Sequence, residues 1–264
     1  MKIVISNDDS IIATGLKELA KIASKYADVI LVAPDRPRSA QSHAVTLTEP
    51  LRLFKVNGDI FKDIGVATYQ CSGTPADCVK IAIQELLHGE KPDFVLSGIN
   101  HGSNAATNVI YSGTMAAAVE GALAGVPSIG FSVTDHSYQV DFSKGNGLEF
   151  VEKILVTAIE NKEKIIAENN NRPFCWNVNF PNVPDIKGIK AVGQSNNEVW
   201  RDFIVKREDF FGVPYYWIAG DLLDKDSTEN TDLNALAQNY ATIVPVLINW
   251  TAYEQLPLLT KIFE

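Results

Sequence analysis

Short apolar runs and helix-spaced apolar stripes alternate along the first half of the chain. Residues 2–6, KIVIS, are a strand-like run in which Val4 and Ile5 favour extended backbone. Residues 12–26 follow with Leu16, Leu19, Ala20 and Ala23 on one helical face. DVILVAP (28–34), FVLSGIN (94–100) and SIGFSV (128–133) read as three further buried strands. Before the third, CSGTPADCVKIAIQELLHG predicts a helix with Thr74 as N-cap, Pro75 at its first position and Asp77 in its first turn. A second helix, opening near Thr114, feeds the fourth strand. Near-continuous apolar strands alternating with helices predict a parallel sheet covered on both faces, so residues 1 to about 135 read as a doubly wound α/β core.

Later segments follow other rules. Two strand-like runs, 46–56 and 59–71, flank Asn57-Gly58, a hairpin signal. A helix is expected over 148–162, then a loop and a strand in NNNRPFCWNVNFP. Residues 189–221 carry Trp200, Phe203, Phe210, Phe211, Tyr215, Tyr216 and Trp217 and read as an extended hairpin. Its aromatics predict either an oligomer interface or a local aromatic mini-core, with equal weight.

Composition changes the picture in few places. A hydrophobic content of 46% and a charged content of 21% are ordinary for a soluble globular protein. The net charge of -9, without a run of lysines or arginines, argues against a nucleic acid polymer as partner. Cys71, Cys78 and Cys175 form no CxxC pair and read as buried free thiols of a reducing compartment. The longest apolar stretch, 114–133, contains Glu120 and Pro127, so it predicts a buried helix entering a buried strand rather than a membrane span. With no secretory signal pattern either, a cytoplasmic location is expected, and the sequon at Asn249 means nothing there.

Ligands of doubly wound sheets bind outside the carboxyl ends of the strands. Three polar segments should therefore converge: Asn7-Asp8-Asp9, residues 34–42 and residues 97–104. Asp8 and Asp9 are open to two readings, a cap on the following helix or a metal site. Their place at a strand end favours metal, as does the mutual repulsion of adjacent acids, and such oxygen donors suit magnesium, manganese or calcium. On the second segment, Ser39, Ser42 and His43 are candidates, with Arg36 and Arg38 free to bind phosphate or pair with surface acids. In SGINHGSNAATNVIYSGTMAAAVEG, Asn100 offers a neutral oxygen, and Ser112-Gly113-Thr114 opens a helix whose free N–H groups could receive a phosphate; an ordinary helix capped by Thr114 is the alternative. Of the histidines, His43 and His101 fall on loops near the expected site, whereas His88 ends a helix and His136 is remote. P-loop, GxGxxG and GxSxG patterns are absent.

SNDDS, PDRPRSAQSHAVTLT, SGTPADCV and SGINHGSN with YSGTMAAAVEG resemble, in this order, the stationary-phase survival protein (SurE) family of metal-dependent nucleotidases. WNVNFP and Thr231-Asp232 extend the likeness thinly toward the carboxyl end. The resemblance implies one divalent ion per subunit, Mg2+ or Mn2+, held by Asp8, Asp9, Ser39 and Asn100. It also implies that Asn104, Ser112, Gly113 and Thr114 surround the substrate phosphate. The implied activity is hydrolysis of nucleoside 5'-monophosphates, with 3'-nucleotides and short polyphosphate as further substrates. The expected fold is a three-layer, doubly wound, mostly parallel Rossmann-like α/β sheet, with added β-hairpins and a C-terminal oligomerisation extension. One domain over residues 1–264 is expected, with about 185–264 making the subunit contacts of a homodimer or homotetramer.

On this reading Asp8 takes or orients the proton of the attacking water and Asp9 is mainly a ligand. A phospho-aspartyl route through Asp8 stays open, as does protonation of the leaving oxygen by His43 or His101. Two other classes compete. A phosphoacceptor receiver module would need an acid where the third strand ends in Ser97 to Asn100. A non-catalytic nucleotide sensor on the same fold is opposed only by the complete ligand set.

Overall fold

In the computed structural model the apolar runs become strands β1 (Lys2–Ser6), β2 (Asp28–Pro34), β3 (Leu53–Lys55), β4 (Ala67–Cys71), β5 (Phe94–His101), β6 (Ser128–Val133) and β7 (Cys175–Phe180). Residues 1–56, 61, 64–134, 144–223 and 226–264 are described; the Asn57-Gly58 turn and His136 lie outside them. Strands β8 (Ile189–Ala191), β9 (Trp200–Glu208), β10 (Pro214–Leu222) and β11 (Ala241–Pro245) complete the set. Nine of these form one sheet in the order β3-β4-β2-β1-β5-β6-β7-β11-β8, while β9 and β10 make a separate antiparallel hairpin. From β4 to β7 every neighbouring pair is parallel; β3 and β11 join antiparallel. Of the hairpin expected around residues 46–71, β3 and β4 do pair antiparallel, Leu53 with Cys71 and Lys55 with Tyr69, but this register is not that of a two-residue turn at Asn57-Gly58.

Alternation along β1 divides the core. Ile3 and Ile5 join Leu16, Leu19 and Leu155, the side covered by α1 (Thr14–Ala23) and, further along, by α4 (Gly147–Glu168). Val4 points the other way, to Val32, Val79 and Ala117, the side covered by α2 (Pro75–Ile81) and α3 (Gly113–Leu123). Burial on both faces explains why these strands read as continuous apolar runs. Sheet order reverses at β1, which has β2 on one side and β5 on the other. That is the switch point at which such folds open a crevice.

Several elements differ from expectation. Helix α4 spans Gly147–Glu168 rather than ending near residue 162, because Ile165 and Ile166 continue the stripe that packs on the core. Helix α2 passes into a π-helical turn, Ala82–Leu86. The short helix α5 (Asp232–Ala237) and the terminal helix α6 (Leu256–Phe263) carry no signal that the periodicity separated from loop. Phe210 and Phe211 meet edge to face, yet they are 95% and 85% exposed, so the hairpin aromatics build no mini-core in the single chain. Trp200 is the exception, packed on a small cluster with Ala105, Val199 and Leu233. The three cysteines are free and buried, as expected.

Candidate active site

The three polar segments do converge. Asp8, Ser39, Asn100, Asn104 and Ser112 line one cleft of about 640 Å³ beside the ends of β1 and β5. His101 lines it too, and its backbone N–H donates to Asp9 Oδ2 at 3.1 Å.

Neither acid caps α1. That helix has Ala13 at its N-cap and no side-chain cap, so the helix-cap reading of Asp8-Asp9 fails. Asn7 holds the turn instead: its buried amide donates to the Ser10 carbonyl at 2.9 Å, which frees the acids to face away from the helix. Asp8 is nearly inaccessible, and its Oδ1 accepts the Thr114 hydroxyl at 2.5 Å. Burial, with the charge of Asp9 added to it, pushes the Asp8 carboxyl up to about 6 despite that bond. Burial also raises Asp9, against the opposing pull of the His101 N–H.

Helix α3 approaches Asp8 end-on. Its N-cap is Ser112, whose Oγ accepts the Met115 N–H at 3.0 Å; Thr114, the expected cap, lies inside the helix and is fully buried. Gly113 is required here by contact, since a Cβ at this position would lie 2.8 Å from Asp8 Cβ and 2.9 Å from its Oδ2. Of the four residues expected around phosphate, Asn104 and Ser112 line the cleft, while Gly113 and Thr114 form the floor beneath Asp8.

Asn100 reaches the cleft through an irregularity. The β5–β6 register shifts between Ser97 and Asn100, where Gly98 has φ 116° and passes so close to Phe131 that a Cβ would meet its carbonyl oxygen at 2.3 Å. The Asn100 Nδ2 then donates to the Gly102 carbonyl at 2.8 Å, which leaves its Oδ1 as the end suited to a cation. Asn104 is pinned on three sides: its N–H donates to Asn179 Oδ1 at 2.9 Å, its carbonyl accepts from Asn177 at 2.8 Å, and its amide donates to Ser132 at 2.8 Å.

Sequence reasoning missed these supports, although WNVNFP carried a signal. Asparagines two apart on a strand share one face, and two of them on a buried face need partners. Asp232 is a similar case. Fully buried, it accepts the N–H of Ala106 at 2.8 Å and of Ser195 at 2.9 Å, tying the carboxyl-terminal region to the loop that follows Asn104. Glu198, Trp200, Asp202 and Ile218 also line the cleft, from the base of the β9–β10 hairpin.

Two expected candidates stand apart. Nε2 of His43 lies 2.9 Å from Glu120 Oε2, and His43 lines a neighbouring apolar groove with Val109 and Met115, not the cleft. Arg38 is largely covered, bonds the Ser72 carbonyl and lies 3.9 Å from Asp35, so it is committed to the fold.

The donor set fits a hard divalent cation. The Asp8 carboxylate, whose ionisation the charge of Asp9 opposes, faces a cleft supplied with hydroxyl and amide oxygens, while Asp9 lies next to it in sequence and is not part of the cleft lining. Among the described residues no group of three or more His, Cys, Asp and Glu side chains gathers, at the cleft or elsewhere, so an ion held here would depend on neutral oxygens beside the acid pair. None of the described helices is long and apolar enough to cross a membrane.

Comparison with known proteins identifies the family. The sequence profile of the family described as Survival protein SurE matches residues 3–201. A protein of Cytophaga hutchinsonii named 5'-nucleotidase SurE is 42% identical over 262 residues, which cover 98% of this chain and 95% of that protein. One of the same name from Christiangramia forsetii is 44% identical over 255 residues, covering 95% and 92%. The crystal structure of the SurE protein from Aquifex aeolicus superposes with a TM-score of 0.76 at 31% identity, over 100% of both chains.

Proposed function

The chain belongs to the SurE family, and from that premise we propose that it is a metal-dependent 5'-nucleotidase, a phosphoric monoester hydrolase that releases phosphate from nucleoside 5'-monophosphates. The observation that carries this is the convergence of Asp8, Ser39, Asn100, Asn104 and Ser112 on one cleft. Asp8, Asp9, Ser39 and Asn100 would hold one Mg2+ or Mn2+ per subunit. Bound there, the ion would neutralise charge on the phosphoryl group and acidify a water.

The chain's own residues supply the rest. Thr114 holds Asp8 in one orientation, so that its carboxylate can take a proton from, or align, the attacking water. Asp9 is fixed by the His101 N–H and serves as ligand. Ser112 retains its O–H for a phosphate oxygen, because its Oγ acts only as acceptor toward Met115. Asn104, pinned by β6 and β7, presents a fixed edge to the same group. Trp200 and the carboxylates of Glu198 and Asp202 supply the nucleoside end of the cleft: an apolar plate and acceptors for ribose hydroxyls or base amino groups.

A soluble cytoplasmic enzyme acting on small nucleotides fits the net charge of -9 and the absence of a spanning helix among the described residues. Exposed Phe210, Phe211 and Trp217 on the hairpin, and Leu258, Ile262 and Phe263 on α6, support a homodimer or homotetramer built by the region after about residue 185.

Phosphate release from a panel of nucleoside monophosphates, with and without added Mn2+ or Mg2+ and with chelator, tests the reading. Turnover that requires the ion and stops with chelator is expected. Tight nucleotide binding without any turnover would instead make the protein a sensor.

A further inference from the structure

We infer that His43 is a positioning residue, which sets the place of Ser39 by clamping its loop to Glu120 of helix α3. This rests on the reading of Ser39 as a metal donor. Ser39 sits in a stretch, residues 35–50, that has neither helix nor strand. Two of its residues, Ala40 and Ser42, have φ of 56° and 51°, a backbone region unfavourable to any residue with a Cβ. Such a conformation persists only where surrounding bonds hold it.

Several bonds hold this loop. The Arg38 N–H donates to the Asp8 carbonyl at 2.7 Å and the Ser42 N–H to the Tyr111 carbonyl at 3.0 Å. Ser42 Oγ donates to the Ile110 carbonyl at 2.7 Å, and Thr74 Oγ1 donates to the Ala44 carbonyl at 2.7 Å. Among the described residues only the His43–Glu120 contact, at 2.9 Å, joins this loop by a side chain to the body of α3. Glu120 is prepared for it. Its side chain is 8% exposed, and its other oxygen accepts Lys80 Nζ at 2.6 Å, so one oxygen is left facing the loop.

Helix α3 therefore sets two donors at once. Its first turn holds Asp8 through Thr114, and its third turn holds the Ser39 loop through Glu120 and His43. The spacing between Asp8 and Ser39 follows from one rigid element. His43 itself lines the apolar groove beside the cleft, which shares Ser112 with it, and is not part of the cleft lining. That placement opposes its use as the acid for the leaving oxygen.

The test compares wild type, His43→Ala, His43→Gln and Lys80→Met, each titrated with Mn2+ by calorimetry and by the Mn2+ concentration for half-maximal phosphate release. Supporting side chains behind metal ligands are worth about 10- to 100-fold in affinity, so His43→Ala should weaken Mn2+ binding about tenfold while activity at saturating Mn2+ returns to near wild type. His43→Gln keeps an N–H donor at the Nε2 position, and should stay within about twofold of wild type. Lys80→Met removes the bond that leaves the other Glu120 oxygen facing the loop, and should weaken Mn2+ binding in the same direction as His43→Ala but less. Unaltered Mn2+ binding in His43→Ala overturns the inference, as does a kcat loss at saturating Mn2+ that Gln fails to restore. A wild-type protein that binds no Mn2+ overturns the metal reading itself.

Discussion

Thr114 Oγ1 donates to Asp8 Oδ1 at 2.5 Å, across 106 residues of sequence, with both side chains buried. The bond links the first turn of α3 to the end of β1. It explains why a hydroxyl at the helix start faces a carboxylate and not the solvent. Replacing it with an isosteric methyl, Thr114→Val, leaves Asp8 buried without that donor. We expect kcat to fall about 10- to 100-fold at saturating metal, the scale of a lost supporting bond, with Tm changed little. Steady-state phosphate release checks it, and wild-type kcat would show that Asp8 needs no such support.

Without a cation, the Asp8 carboxyl sits at about 6, above the ordinary carboxylate range. A raised folded-state pKa contributes stability at low pH that is lost as pH rises through the folded value. The metal-free protein should therefore lose part of its stability between about pH 4 and pH 6. Asp8→Asn should abolish turnover yet raise the metal-free Tm at pH 7, on the order of 1–3 kcal/mol of stability for a shift of this size. Thermal melts across pH, with chelator present, give the answer. A lower Tm for Asp8→Asn at pH 7 would contradict it.

Asp232 closes the site from behind, accepting the N–H groups of Ala106 and Ser195. Asp232→Ala leaves three buried amides, those of Ala106, Ser195 and Leu233, without that acceptor, each worth about 1–3 kcal/mol. Urea unfolding should show a loss of about 2–5 kcal/mol by that reckoning. Nucleotide affinity should fall with it, because Ala106 follows the pinned Asn104. A change below 1 kcal/mol, read against the same range, would mean that water replaces the carboxylate.

Trp200 lines the same cleft as Asp8, from the hairpin side. Stacking of a base on an aromatic ring is worth about 1–3 kcal/mol. Trp200→Ala should thus raise KM for nucleoside monophosphates about tenfold with kcat nearly unchanged, and leave hydrolysis of a simple alkyl phosphate unaffected. Equal losses on both substrates would place Trp200 in the framework and not in nucleoside binding.

Much of this was legible in residue order. Strands β1, β2 and β6 lie where the apolar runs put them, because a strand buried on both faces in a parallel sheet has no polar face to blur its pattern. Thr74 caps α2 as expected, since capping depends on residues only three apart. Chain order alone also put the acid pair, Ser39 and Asn100 at strand ends that converge. Less was legible after residue 185, where short strands and exposed aromatics carry neither periodicity nor burial.

The sequence by itself determined the parallel core, the oxygen-rich loops at its carboxyl edge and an acidic balance of -9. Only the tertiary structure decided which oxygen serves which neighbour. Thr114 turned from phosphate toward Asp8, and His43 turned from the cleft toward Glu120, 77 residues away. Local patterns reflect backbone geometry and burial, which act over a few residues. Pairings between distant side chains depend on strand order and on the register shift that brings Asn100 round, and these exist only once the sheet is assembled.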